Sequence, residues 1–441
     1  QAANGASFLI TPEIVQAWEK KYRPLGPGDV VLFKSGYSDR YYKPLALGGE
    51  RFVHTVLRKE TPGWPAPTPE CMEYLAGKKV MSLGLDGASM GPVPDLAVAT
   101  HQAGGKHGMI WTECASNLGS LPTTGSVYCL FPAKHAGGSG GEARAVGITD
   151  PVLAKRLAAS ARAKRILDLS VTLDENLPVT WPGASPGEEA SRYVAKTLNA
   201  FSKARGPYFA RTHLLDGNAG THAVPPAFSL PPKGFNNDRY SASVRKTLAD
   251  YEAKYGKRGF SAITAEKIPL KQTLGEAHLV DVSDLAGSTK KEEWPKSPLI
   301  TLARVKQHEK TRPFLPGEVV LFKTGYTDLK FKPLPDLPDM DALMAAPLAG
   351  KAEGWPAIEP AAVAYLAEKG IRCLGTDGPT LGGVDENNAM QVYWLAADKG
   401  IIPVEFLTNL GKLPEKGAFF LFAPIRVQGN HGGYGRALAA Y

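Results

Sequence analysis

The sequence predicts an α/β protein in which one type of domain occurs twice, the first time incompletely. Three observations carry this. Short β-rich runs alternate with amphipathic helical runs, a ten-residue stretch recurs almost unchanged, and the residues ahead of the two occurrences differ greatly in length.

The repeat is dense. Val30-Val31-Leu32-Phe33-Lys34-Ser35-Gly36-Tyr37-Ser38-Asp39 matches Val319-Val320-Leu321-Phe322-Lys323-Thr324-Gly325-Tyr326-Thr327-Asp328, with only two Ser/Thr exchanges. The match continues through Gly63-Trp64-Pro65 and Gly354-Trp355-Pro356, then Leu83 to Gly87 and Leu374 to Gly378. It ends with Glu113 and Glu405, Asn117-Leu118 and Asn409-Leu410, and Arg144 and Arg436. The offset drifts only from 289 to 292, which is what small loop insertions give. The second copy has roughly 135 residues of its own before the shared segment, from Ile166 to Ile300, whereas nine precede the equivalent Ile10. The expected division is therefore 1–150 as the C-terminal half of a first domain, 151–165 as a helical linker and 166–441 as a complete second domain.

The elements follow in order. Asp29 to Lys34 and Glu318 to Lys323 read as strands after a Pro-Gly turn, Pro69 to Ala76 and Pro360 to Lys369 as helices, and Lys79 to Leu85 and Ile371 to Gly375 as the strands they feed. Asp95 to Ala103 reads as a helix and Gly108 to Thr112 as a strand. Asp150 to Arg165 is the Ala/Lys/Arg-rich linker helix, a strand begins at Ile166, and Ser241 to Gly259 reads as a surface helix.

Composition excludes several classes. With 43% hydrophobic residues the chain is globular. A net charge of +8 is spread along it without a basic run, so no nucleic-acid partner is expected. No apolar stretch is long enough for a membrane helix. Cys71, Cys114, Cys129 and Cys373 form no metal or redox pair and read as buried thiols. Gln1 in place of Met reads as a processed start, which keeps a periplasmic or secreted origin open.

At Asp168-Leu169-Ser170, Pro178, Trp181-Pro182-Gly183, Gly220-Thr221-His222 and Pro226, the second copy resembles the cyclase family of metal-dependent hydrolases, which includes kynurenine formamidases and isatin hydrolases. The resemblance implies a barrel-like mixed sheet flanked by helices, and a divalent metal, zinc or manganese, used to open an amide, formamide or lactone. The physical logic of its motif, H-x-G-T-H-x-D-x-P-x-H, is that alternate side chains of an extended segment converge on one ion. Here the motif runs from Asn218 to Phe228. Asn218, Val224 and Phe228 stand where the family has His, Asp and His, and only His222 remains. The family's later His and Glu, twelve residues apart, are Tyr393 and Glu405 in the second copy but His101 and Glu113 in the first.

The resemblance thus places metal and catalysis at His101 and Glu113, with His222 and Glu405 as the degenerate counterpart and Trp181, Asn218 and Phe228 lining a substrate pocket. The missing front of the first copy is expected on a companion chain or outside this chain, and an oligomer acting on a small molecule is expected. The alternative is a metal-free binding protein. His107, His135, His213 and His431 lack partners at ligand spacing and read as surface or turn residues, His213 being the one that could substitute as a ligand. Gly87-Ala88-Ser89-Met90-Gly91 matches a nucleophile elbow in pattern, but Pro92 and Pro94 stand where the elbow needs a helix.

Overall fold

The computed structural model describes residues 2–182, 192–231, 238–255, 263–335 and 340–441. The expected segments at Gly183 and Gly256 to Gly259 lie outside the described residues. Two compact units are present: residues 1–130 with 145–162, and residues 131–144 with 163–441.

The first unit is built on a three-stranded parallel sheet of Val30–Phe33 (β1), Ser82–Leu85 (β2) and Ile110–Thr112 (β3), in that order. Helices Pro12–Lys21 (α1), Pro69–Gly77 (α2) and Ala97–Gly105 (α3) accompany it, and Pro151–Arg162 (α4), the expected linker helix, buries Ala154 and Leu157 within this unit. Thr68 starts α2 by accepting a hydrogen bond from Cys71 N at 3.2 Å, with Pro69 preset at the first helical position. Strands Val127–Pro132 (β4) and Ala143–Ile148 (β5) pair as a hairpin, and its tip, residues 131–144, groups with the second unit. Cys71 is buried as expected, but Cys114 is exposed and Cys129 half-exposed, so the buried-thiol reading fails for these two.

In the second unit, Ile166–Asp168 (β6) is followed by the antiparallel hairpin Val194–Ser202 (β7) and Gly206–Leu214 (β8), and by His222–Ala223 (β9). Helix Ala242–Tyr255 (α5) and strand Leu274–Asp281 (β10) come next. Helix Leu302–Glu309 (α6), Val319–Lys323 (β11), helix Pro360–Glu368 (α7), Cys373–Thr376 (β12), helix Glu386–Lys399 (α8), Ile402–Glu405 (β13), Phe419–Pro424 (β14) and Gly433–Ala440 (β15) complete it. The strands run β9-β13-β12-β11-β10-β14-β15, and β9 pairs back onto β15, closing a mixed seven-stranded barrel with β6 on its edge. The expected barrel-like α/β fold is what the unit shows. Closing the ring removes free strand edges. Helix α5 is less superficial than expected, because Val244 and Leu248 are fully buried against Trp394.

Repeat-equivalent residues make the same bonds in each unit. Asp86 accepts from Ser35 N at 3.0 Å and from Gly36 N, while Asp377 accepts from Thr324 N at 2.7 Å and Gly325 N at 2.9 Å. Asn117 N and Asn409 N each donate to an aspartate, Asp39 and Asp328, at 2.8 Å. Burial pushes the Asp377 carboxyl up to about 6 against the pull of its donors. Asp377→Ala leaves the Thr324 hydroxyl and two backbone N–H groups buried without an acceptor. It is expected to destabilise the unit by about 2–3 kcal/mol in urea titration, and Asp377→Asn by less.

Candidate functional site

In each unit the repeat-equivalent glutamate, Glu113 or Glu405, pairs with a histidine beside a strand end. In the first, His101 sits on α3 and Glu113 follows β3. Glu113 Oε1 accepts from Met90 N at 2.7 Å, lies 3.4 Å from Ser89 Oγ, and faces His101 Nε2 at 3.4 Å. His101 Nδ1 meets the Ala97 carbonyl at 2.7 Å, which fixes the ring and directs Nε2 at the carboxylate. Both side chains are accessible, at 37% and 33% exposure. The Glu113 hydrogen bond raises the His101 pKa. Burial alone would raise Glu113, but the bonds from His101 and Met90 N hold it below the usual carboxylate range. Ser89 serves this cluster as a hydrogen-bonding group, with its Oγ also accepting from Gly91 N at 3.2 Å.

In the second unit, His222 and Glu405 are direct neighbours across the β9–β13 pairing, with Nε2 and Oε2 3.3 Å apart. His222 Nδ1 is tied to the Gly220 carbonyl at 2.8 Å. Glu405 Oε1 accepts from Leu381 N at 2.6 Å, repeating the Met90 bond, and from the Tyr393 hydroxyl at 2.8 Å. Here the exposures are 7% and 1%. Tyr393, standing where the first copy has His101, caps the carboxylate. Burial and the neighbouring Glu405 hold its hydroxyl proton firmly, with a pKa well above the usual range.

Of the remaining expected pocket residues, Phe228 and Trp181 each have their own partners. Phe228 packs edge-on to Tyr393 with centroids 5.5 Å apart and stacks on His431, and Val224 is buried. Trp181 meets the edge of Trp355. Asn218 Oδ1 is buried without a hydrogen-bond partner, and Gly432 lies so close that a Cβ there would meet it at 1.8 Å.

Two histidines contradict the surface reading. His135 has a fully buried side chain, bonds Glu142 through Nε2 at 2.9 Å and the Tyr193 hydroxyl through Nδ1 at 3.0 Å, and stacks on His213 at 4.1 Å. His213 Nδ1 meets the same Tyr193 hydroxyl at 2.6 Å, so it is engaged here rather than standing in as a ligand beside His222. His431 faces Asp216 at 3.5 Å. His107, paired with Glu73, and His431 are surface residues, as expected. Long-range contacts made these partners, so local spacing could not reveal them.

Donor chemistry tests the metal that the resemblance implies. A 3.4 Å separation is the edge of a tetrahedron of ligands about 2.1 Å from one ion, so His101 and Glu113 fit as two ligands. The second unit does not fit. Its acceptor oxygens are taken by Tyr393 and His222, and Val224 and Phe228 offer no donor. Among the described residues no group of three or more His, Cys, Asp or Glu converges as a metal site.

The chain is similar to several known proteins. Isatin hydrolase of Roseibium aggregatum is 24% identical over 153 residues, 34% of this chain and 55% of its own length, so the chain spans about half of that relative. Among solved structures, isatin hydrolase A of Labrenzia aggregata bound to benzyl benzoate is 21% identical. The match covers 65% of this chain and 97% of that one, with a TM-score of 0.47. Isatin hydrolase A of Ralstonia solanacearum is 20% identical, covering 66% and 95%, also at 0.47. The family model described as "Putative cyclase" matches residues 1–92 and 167–382, well over half of the chain, and the chain belongs to this cyclase family.

Proposed function

We propose that this chain is a hydrolase that opens a C–N or C–O bond of a cyclic amide, formamide or lactone at the His101–Glu113 pair, and that it arose by tandem duplication, leaving the second pair as a degenerate copy. The observation that carries this is the contrast in access. The first pair is about one-third exposed and the bonds Glu113 accepts fall on one of its oxygens, whereas the second is buried with both oxygens engaged. Family membership and the names of the isatin hydrolase relatives support the reaction class.

His101 and Glu113 would hold a divalent zinc or manganese ion together with donors that the described residues do not supply. When bound, such an ion supplies a water acidic enough to attack a carbonyl near neutral pH. The chain's own residues do the rest. The Ala97 carbonyl keeps a proton on His101 Nδ1 and leaves Nε2 as the donor atom. Met90 N holds Glu113 in place and keeps it anionic. Ser89 Oγ can accept or pass on a proton beside the carboxylate.

In the second unit, a recess lined by Val224, Pro226, Tyr393 and Pro403 has a cavity volume of about 10 Å³, room for a single water and far below the roughly 300 Å³ of ordinary small-molecule sites. It gives the metal-free binding alternative little room.

The test uses protein expressed from its complete reading frame, assayed against isatin, an N-formyl arylamine and a lactone, with metal content measured in parallel. Turnover that a chelator removes and zinc or manganese restores is expected, with His101→Ala inactive. No bound metal and no turnover, or full turnover by His101→Ala, overturns the assignment.

A further inference from the structure

We infer that the C-terminal hairpin tips of the two repeats pack on one another about a local twofold within the second unit, forming a self-complementary contact that is closed inside a single chain. This rests on the duplication proposed above.

At the constant offset of 292, Pro132 aligns with Pro424, Gly137 with Gly429, Gly140-Gly141 with Gly432-Gly433, and Arg144 with Arg436. The two tips make the same internal bond: Ala133 N donates to the Glu142 carbonyl at 3.0 Å, and Ile425 N to the Tyr434 carbonyl at 2.9 Å. Both tips lie in the second unit. Across them, the Tyr434 hydroxyl donates to Glu142 Oε1 at 3.0 Å. Residue 434 is the repeat counterpart of residue 142. Ala133 and Ile425, also counterparts, share one apolar cluster with Tyr434.

A residue meets its own counterpart only on a twofold axis, so two such pairs in one place mark the axis of an isologous contact. The pairing is nonetheless unequal. Two glutamates on the axis would repel, and two tyrosines would leave no anion. Glu142 with Tyr434 bonds because tandem copies can diverge, which identical subunits cannot. His135, whose counterpart is Val427, adds a second bond to Glu142 that has no mirror image. The carboxyl sits at about 2, with burial outweighed by the bond from His135. The face is specialised for its own chain and closed to a second copy.

Hydrogen exchange of the full chain tests this, together with native mass spectrometry. Amides of residues 131–144 are expected to be protected, to exchange roughly tenfold faster or more in Glu142→Lys, and to respond similarly in Tyr434→Phe combined with Glu142→Gln. Exchange at free-peptide rates, protection that neither variant changes, or a two-chain species dissociated by Tyr434→Asp would overturn it. None of these readouts depends on hydrolysis. A protein without turnover but with a protected hairpin would sink the proposed function and leave this interface standing.

Discussion

Glu405→Ala is expected to destabilise the second unit by about 3–5 kcal/mol, whereas Glu113→Ala, at the equivalent position, is expected to cost under about 1 kcal/mol while reducing hydrolysis roughly 100-fold or more. The asymmetry follows from burial. Removing the Glu405 carboxylate leaves the Tyr393 hydroxyl, Leu381 N and the His222 ring without their acceptor in a site with 1% exposure. It also weakens the two-residue strand β9 that closes the barrel, since His222 pairs directly with Glu405. Around Glu113, water can replace the lost carboxylate, because the pair is about one-third exposed. Urea titration followed by tryptophan fluorescence, beside the hydrolysis assay, separates the two effects. A stability loss of the same size in both variants would show that access does not distinguish the pairs. Tyr393→Phe should fall between them, with a loss of about 1–2 kcal/mol, as one hydrogen bond to a buried charge is removed.

How much of this was legible beforehand depends on the range of the interactions involved. Strands, helices and turn residues of the repeat could be read locally, because periodicity and Pro-Gly punctuation act over a few residues. Burial could not. Val-Val-Leu-Phe occurs in both β1 and β11, yet β11 is flanked by β10 and β12 and these four residues are buried there, while β1 has only β2 and stays half-exposed. The barrel's closing strand is two residues long, too short to show an alternation. Tyr393 could be recognised as a lost ligand from its spacing to Glu405, but its new work, capping that carboxylate, needed the 2.8 Å contact. His135 was illegible for the same reason: its partners Tyr193 and His213 are far away in sequence.

Acid is expected to weaken the second unit through a cluster away from both pairs. His278 on β10 is fully buried, bonds Glu318 through Nδ1 at 2.8 Å, and faces His308 Nε2 with its own Nε2 at 3.0 Å, with Phe314 against its ring and Arg312 nearby. Burial pushes His278 down to about 4, outweighing the attraction of Glu318, with Arg312 and His308 adding to the depression. His308 is lowered by burial and by Arg312. A base that resists protonation when folded but accepts a proton near 6.5 when unfolded favours the unfolded chain in acid. Its contribution is therefore fully present above about pH 6.5 and is lost as pH falls towards 4. Between pH 7.0 and 4.5 the difference amounts to about 2 kcal/mol for this side chain, which has no exposed surface. Unfolding free energies from urea titration at pH 7.0 and 4.5 should therefore differ by about that much more in the wild type than in His278→Leu, which cannot titrate there. Equal pH dependence in the two proteins would mean that the cluster opens to water before it protonates, and that its burial contributes nothing to the acid sensitivity of the barrel.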